Sequence, residues 1–265
     1  MKSTLISAAL LLVVSTSFLR AQDWPVAIED NSFLIEEATN QGPRVVQHIT
    51  TLFRPDLDDN DLGITFTQEW PLGSQRHQLS YTLPYFRGDG SGLGDIVLNY
   101  RYQLPIRREH LAVAPRLSLI LPTGDEDEGL GEGSAGLEVN LPLSWRLAPQ
   151  WAFHANVGAS HFPSVEGARL GDEQDLTSPF AGISVIWLAR SNLNFLVEAI
   201  VRRSEEIAAS GGTTRTTERI FSPGLRFAID RGDLQIVPGL AFPVTSAGGR
   251  ENVGVFLYFS LEHPY

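Results

Sequence analysis

Between Gly94 and Trp145 the chain alternates apolar and polar residues along three long runs, and few folds can use such a pattern. In the first run Ile96, Leu98, Tyr100, Tyr102 and Leu104 share one face, while Val97, Asn99, Arg101 and Gln103 share the other. In the second, Leu111, Val113, Pro115, Leu117, Leu119 and Leu121 oppose Ala112, Ala114, Arg116, Ser118 and Ile120. In the third, Leu137, Val139, Leu141, Leu143 and Trp145 oppose Glu138, Asn140, Pro142 and Ser144. A period of two marks a strand, because successive side chains leave opposite faces. Each run exceeds the usual strand of about five or six residues and reaches the roughly nine to eleven tilted residues that cross a bilayer. A short basic turn joins the first two runs and a long acidic, glycine-rich loop joins the last two. That alternation of short turns and long loops is the layout of an outer-membrane barrel.

The same grammar continues along the chain. Strands are expected near 44–53, 62–70, 75–86, 94–104, 110–122, 135–145, 151–162, 178–189, 193–203, 217–229, 234–244 and 252–261. The fold class is therefore all-β, an antiparallel transmembrane barrel of about twelve strands, an even number as single-chain bacterial barrels have. The short connections are PLGSQ, PIRRE, RLAPQ, RSN and DRGD, and the long ones are strongly acidic at 56–61, 125–132 and 166–175. Short turns belong at the periplasm and long loops outside, so both termini fall in the periplasm. Trp70, Trp145, Trp151 and Trp187 sit beside short turns, as an interfacial girdle requires. Phe86, Phe162, Phe180 and Phe221 are expected to form the matching outer girdle.

Residues 1–21 read as a secretory signal peptide: Lys2, an apolar core from Leu5 to Val14, and Ala21 at the cut. Losing Lys2 and Arg20 with it takes the formal charge from −11 to −13. Residues 22–43 form a periplasmic N-terminal segment or a plug, with a strand-like piece at Phe33–Ala38 left outside the barrel to keep parity even. Residues 44–265 form the barrel. No cysteine is present, which removes disulfides, thiolate metal sites and cysteine nucleophiles. The acidic balance argues against a nucleic-acid partner. Mean hydropathy is −0.04, and no internal run approaches the roughly 18 apolar residues of a membrane helix; barrel strands escape such averages because every second residue is polar.

Motifs for catalysis are weak. Gly131, Gly133 and Gly136 spell a dinucleotide fingerprint but open a strand, not a helix. Asp56, Asp58 and Asn60 begin like a calcium loop, yet Asp61 stands where glycine is required and Thr67 where a bidentate glutamate belongs. His154 and Asn156 share a polar face that points inward, which suits a lumen better than a hydrolase. No catalytic residue, metal site or cofactor is assigned. The inward parity instead selects Arg101, Arg116, Glu138, His154, Glu198, Arg202 and Arg226 as pore-lining residues. They either form a packed polar core or line a narrow aqueous path. The outer acidic loops read as solvated, with divalent cations bridging to lipopolysaccharide as the sharper alternative.

The runs LGDIVLNYRYQL, PRLSLILPTGDE and GLGEGSAGLEVNLPLSW, with FLIEEATNQGPRVVQHI, TFTQEWP and HQLSYTLPY before them, resemble the outer-membrane transporter-like barrels of the meta-pathway phenol-degradation family. The likeness runs from Phe33 to Tyr265, and the LPTGD step is its most distinctive part. It implies passage of aromatic or hydrophobic compounds across the outer membrane and brings no catalytic residues. The C-terminal strand ending at Tyr265 resembles the signal read by the barrel-assembly machinery, with Pro264 a departure. The reading is a passive, non-enzymatic channel in the cell outer membrane for small molecules, aromatic or hydrophobic ones included. Its partners are outer-membrane lipid and lipopolysaccharide, the assembly machinery and a small solute. A plugged structural or surface-interaction barrel and an outer-membrane lipid-modifying enzyme are the alternatives.

Overall fold

The computed structural model describes residue 28 and residues 32–88, 90–106, 108, 110–166, 173–208 and 212–265. The signal peptide expected at 1–21 lies outside the described residues. Twelve strands follow in chain order: β1 (Val45–Arg54), β2 (Leu62–Leu72), β3 (Ser74–Arg87), β4 (Ser91–Leu93 and Ile96–Tyr102), β5 (Leu111–Val113 and Arg116–Leu121), β6 (Gly136–Asn140 and Leu143–Ala148), β7 (Trp151–Glu166), β8 (Glu173–Arg190), β9 (Leu193–Ile207), β10 (Thr213–Phe227 and Ile229–Arg231), β11 (Leu234–Ala241 and Val244–Ala247) and β12 (Arg250–Val253 and Val255–Pro264). Each pairs antiparallel with the next, and β1 closes on β12 in an uninterrupted register from Val45↔Pro264 to Arg54↔Val255. A closed ladder leaves no edge, so each spanning backbone amide finds a partner without water. Among the described residues there is no helix.

Three interruptions carry a proline. Pro115 breaks β5, Pro142 breaks β6 and Pro243 breaks β11, since proline has no N–H to give the ladder. Their carbonyls stay in use, accepting from Tyr102 N at 3.0 Å, Ala114 N at 3.1 Å and Gly254 N at 2.8 Å. Pro264 is tolerated for a related reason. It is the last residue of β12, and the next amide, that of Tyr265, bonds to Arg44 O at 3.0 Å.

The faces are inverted relative to a water-soluble protein. Leu98, Tyr100, Leu117, Leu119, Val139, Val157, Ile183, Val197 and Leu257 are exposed on the outside, whereas Gln78, Asn99, Arg101, Asn140, His154, Asn156, Glu198 and Arg226 are buried inside. Trp145, Trp151 and Trp187 stand on the outer surface at the short-turn end, and Trp187 stacks with Trp151 and Phe195.

Two expectations need correction. Phe86 and Phe221 are both exposed, but Phe86 shares the inward parity of the buried Gln78 and Ser80, which leaves Phe221 alone of the four on the outer face. Phe162 and Phe180 share the parity of Asn156 and Ser184 and line the interior, their rings lying over Gly136 and Gly158, while Phe86 covers Gly63 and Gly94. Strand parity outweighs the general preference of aromatics for the interface. The long loops after Phe162, Arg203 and Val244 are also shorter than expected. Pairing continues to Glu166↔Glu173, Ile207↔Thr213 and Ala247↔Arg250, so tall ribbons rise beyond the barrel wall.

Candidate functional site

Residues 32–41 run inside the barrel. They form no strand, so their amides need other partners, and inward side chains supply them. Glu198 Oε1 accepts from Leu34 N at 2.8 Å and Ile35 N at 2.9 Å. Asn156 accepts from Glu36 N at 2.8 Å and donates to Glu36 O at 3.0 Å. Ser144 Oγ accepts from Ala38 N at 2.7 Å and is hydrogen-bonded to His154 Nδ1 at 2.7 Å. Gln103 and Gln78 accept from Asn40 N and Gln41 N. Each such bond contributes about 0.5–1.5 kcal/mol, more when one partner is charged.

Charge explains why the segment belongs there. Arg101 and Arg116 face each other directly across β4 and β5, an arrangement that is repulsive unless anions sit between the two. Glu36 of the segment lies 2.7 Å from Arg116 and 4.0 Å from Arg101. Glu69 lies 3.8 Å from Arg101, and Glu138 pairs with Arg116. Arg101 also donates to Glu37 O at 2.9 Å, Thr39 O at 3.1 Å and Asn40 Oδ1 at 2.8 Å. A buried charge costs several kcal/mol when left unpaired, so wall and segment satisfy each other.

Shape adds a second anchor. The Phe33 ring packs 5.7 Å from Phe256 and 5.4 Å from Tyr258 between ring centroids. It occupies space left by Gly224 and Gly239, where a Cβ would collide with it, and Ile35 uses the gap at Gly182 in the same way.

The segment divides the interior. Leu34, Ile35 and Glu36 form the floor of an outer vestibule of about 650 Å³. Ile28, Glu37 and Thr39 line an inner cavity of about 260 Å³ that also touches His154 and Arg226. A third hollow of about 440 Å³ lies on the lipid-facing wall where Pro115 and Pro142 interrupt β5 and β6. Tyr100, Tyr102, Leu117, Val139, Leu141 and Val157 line it, and its base is Arg116 and Asn140, which also line the outer vestibule. Arg116 and Asn140, register partners across β5 and β6, thus border both the lumen and the lipid-facing hollow.

Above the vestibule, Asp95 holds the loop between β5 and β6. Its carboxylate accepts from Thr123 N at 3.0 Å, Gly124 N at 2.9 Å and Glu132 N at 3.1 Å. Leu130 is buried over Gly92 and Gly124. The residues of the LPTGD step are thus the mount of this loop. Burial pushes the Glu132 carboxyl above the ordinary carboxylate range, with Asp95 and Glu206 adding to the effect.

Of the residues selected from sequence, Arg101, Arg116 and Glu138 come together around Glu36. His154 and Glu198 bond to or through the segment, and Arg226 donates to Ile28 O at 3.2 Å. Arg202 stands apart in the outer vestibule, half exposed and 3.7 Å from Glu218. Sequence reasoning missed Glu36, Glu69, Gln47 and Gln78. The last three sit at inward parity on their strands; Glu36 lies in the strand-like piece Phe33–Ala38, which pairs with no strand, so strand parity does not place it. Among the described residues no cluster of three or more histidines or carboxylates is arranged to hold a metal ion.

A closed twelve-stranded antiparallel barrel, apolar outside and polar within, defines this protein as an outer-membrane-type β-barrel, and known structures share that architecture. An outer membrane channel from Pseudomonas putida F1 superposes with a TM-score of 0.66 at 13% identity, covering 86% of this chain and 98% of that one. The NanC porin gives 0.55 at 10% identity, covering 83% and 100%, and the KdgM porin in complex with disordered oligogalacturonate gives 0.51 at 6%, covering 83% and 99%. No curated protein matches the sequence. The chain belongs to the family described as the MetA-pathway of phenol degradation, whose pattern matches residues 37–202.

Proposed function

We propose that the protein is a passive outer-membrane channel for small hydrophobic or aromatic molecules, closed along its axis by residues 32–41. The observation that carries this reading is the shared wall at Arg116 and Asn140. A solute entering the outer vestibule meets the segment below it and the proline-weakened partition beside it. The groove beyond that partition is almost wholly apolar and opens towards lipid, a destination suited to hydrophobic solutes and unsuited to ions. The similar solved structures include an outer membrane channel and porins, which supports a channel role, and the family description points to aromatic compounds. Movement would be diffusive, and residues 1–21 would serve as the cleaved leader.

The absence of cysteine permits a clean test. Leu117 and Val139 are register partners across β5 and β6 and both line the groove. A disulfide between Leu117→Cys and Val139→Cys is expected to lower uptake of a small aromatic solute into proteoliposomes, with recovery on reduction. Equal uptake in the oxidised and reduced states would overturn the lateral route.

A further inference from the structure

We infer that the outer vestibule is a binding site for cationic amphiphiles, molecules that join an apolar chain or ring to an ammonium head. This rests on the channel reading and names the class of solute that the site would select. Its volume of about 650 Å³ lies within the range of about 300–1,000 Å³ typical of small-molecule sites. Its apolar lining comes from Leu34 and Ile35 in the floor and Phe53, Phe180, Ile200 and Ile220 in the wall.

Further along the same strands the lining carries more carboxylates than cations. Six carboxylates line the vestibule (Glu36, Glu132, Glu138, Glu205, Glu206 and Glu218) against two guanidiniums, Arg116 and Arg202, a difference of four negative charges. Arg116 is shared by Glu36 and Glu138, Arg202 faces Glu218, and Glu205 takes Arg215. Glu132 and Glu206 have no cationic partner among the described residues. A second observation is independent of charge. Asn140 lines the cavity and is only 4% exposed, yet its Oδ1 atom accepts no hydrogen bond among the described residues. A buried acceptor without a donor costs about 1–3 kcal/mol. An ammonium group carries three donors and a positive charge, and so answers both deficits. A carboxylate head would add a like charge and no donor.

The mature protein in nanodiscs of neutral lipid, titrated calorimetrically with dodecylammonium, dodecanol and dodecanoate, tests this. Dodecylammonium is expected to bind about tenfold more tightly than dodecanoate, the size that two partly exposed carboxylates can supply. In Glu132→Gln/Glu206→Gln the gap should shrink to about threefold or less, with dodecanol binding unchanged. Asp58→Asn/Glu251→Gln removes two exposed charges from the same end of the barrel that lie outside the vestibule lining, and should leave the gap intact. Phe180→Ala keeps the carboxylates and should weaken dodecylammonium and dodecanol alike. Dodecanoate binding as well as dodecylammonium, or an equal loss of preference in the Asp58/Glu251 variant, would overturn the site while leaving the channel reading standing if dodecanol still binds and crosses. Failure of all three probes to bind would overturn both.

Discussion

Arg101 and Arg116 show most clearly how single residues set the state of the lumen. Two guanidiniums opposed across a ladder need anions, and the barrel wall supplies Glu69 and Glu138 while the N-terminal segment supplies Glu36. Changing Arg101→Glu together with Arg116→Glu turns that attraction into repulsion of Glu36. The segment is expected to leave its seat, giving a higher single-channel conductance and a stronger cation preference in planar bilayers. Unchanged conductance and ion preference would show that these side chains do not control the path. Phe33→Ala removes the ring that fills the space over Gly224 and Gly239. Its cost is expected to be about 3–5 kcal/mol of docking free energy, seen as protease cleavage near residue 33 in an otherwise folded barrel. The inward arginines were legible from strand parity alone. Their partner Glu36 was not, because the strand-like piece Phe33–Ala38 joins no ladder and its alternation therefore assigns no wall face.

At the scale of elements, the loop between β5 and β6 is held by one carboxylate. Asp95→Ala deletes the acceptor for the amides of Thr123, Gly124 and Glu132. Hydrogen-exchange protection of residues 123–132 is expected to fall while that of β7 and β8 is retained. Glu132 gives the same loop a pH dependence. Its carboxyl titrates above the ordinary carboxylate range in the folded loop, so the folded form holds its proton more firmly than an unfolded loop would. The resulting stabilisation is complete below the ordinary carboxylate pKa and is lost as pH rises through the raised value. Protection factors across that window should decline with pH, and Glu132→Gln should flatten the decline. Strands β1 to β12 were readable because alternation survives each proline break. The upper ribbons were not, since residues such as Ser204–Ile207 and Thr213–Thr216 alternate no apolar face, although they pair outside the bilayer. Phe162 and Phe180 lie beside loops, yet strand parity turns their rings inward.

Across the whole molecule the outer surface is set by lipid and the inner one by the segment. Ile183 lies on the lipid-facing side of β8, four positions from the girdle residue Trp187, and is exposed. Ile183→Lys places a charge near the middle of the bilayer and is expected to cost about 2–4 kcal/mol in urea unfolding from lipid vesicles. Ser184→Ala next to it removes the hydroxyl that meets Ser32 and leaves the lipid face untouched. The segment that fills this interior joins β1 through Gly42, Pro43 and Arg44, and β1 is also the strand that meets β12. A sheet that grows in chain order closes at that junction last. Residues 32–41 therefore reach their seat either before the ring shuts or by threading one of its two mouths, because a closed ladder offers no other way in or out.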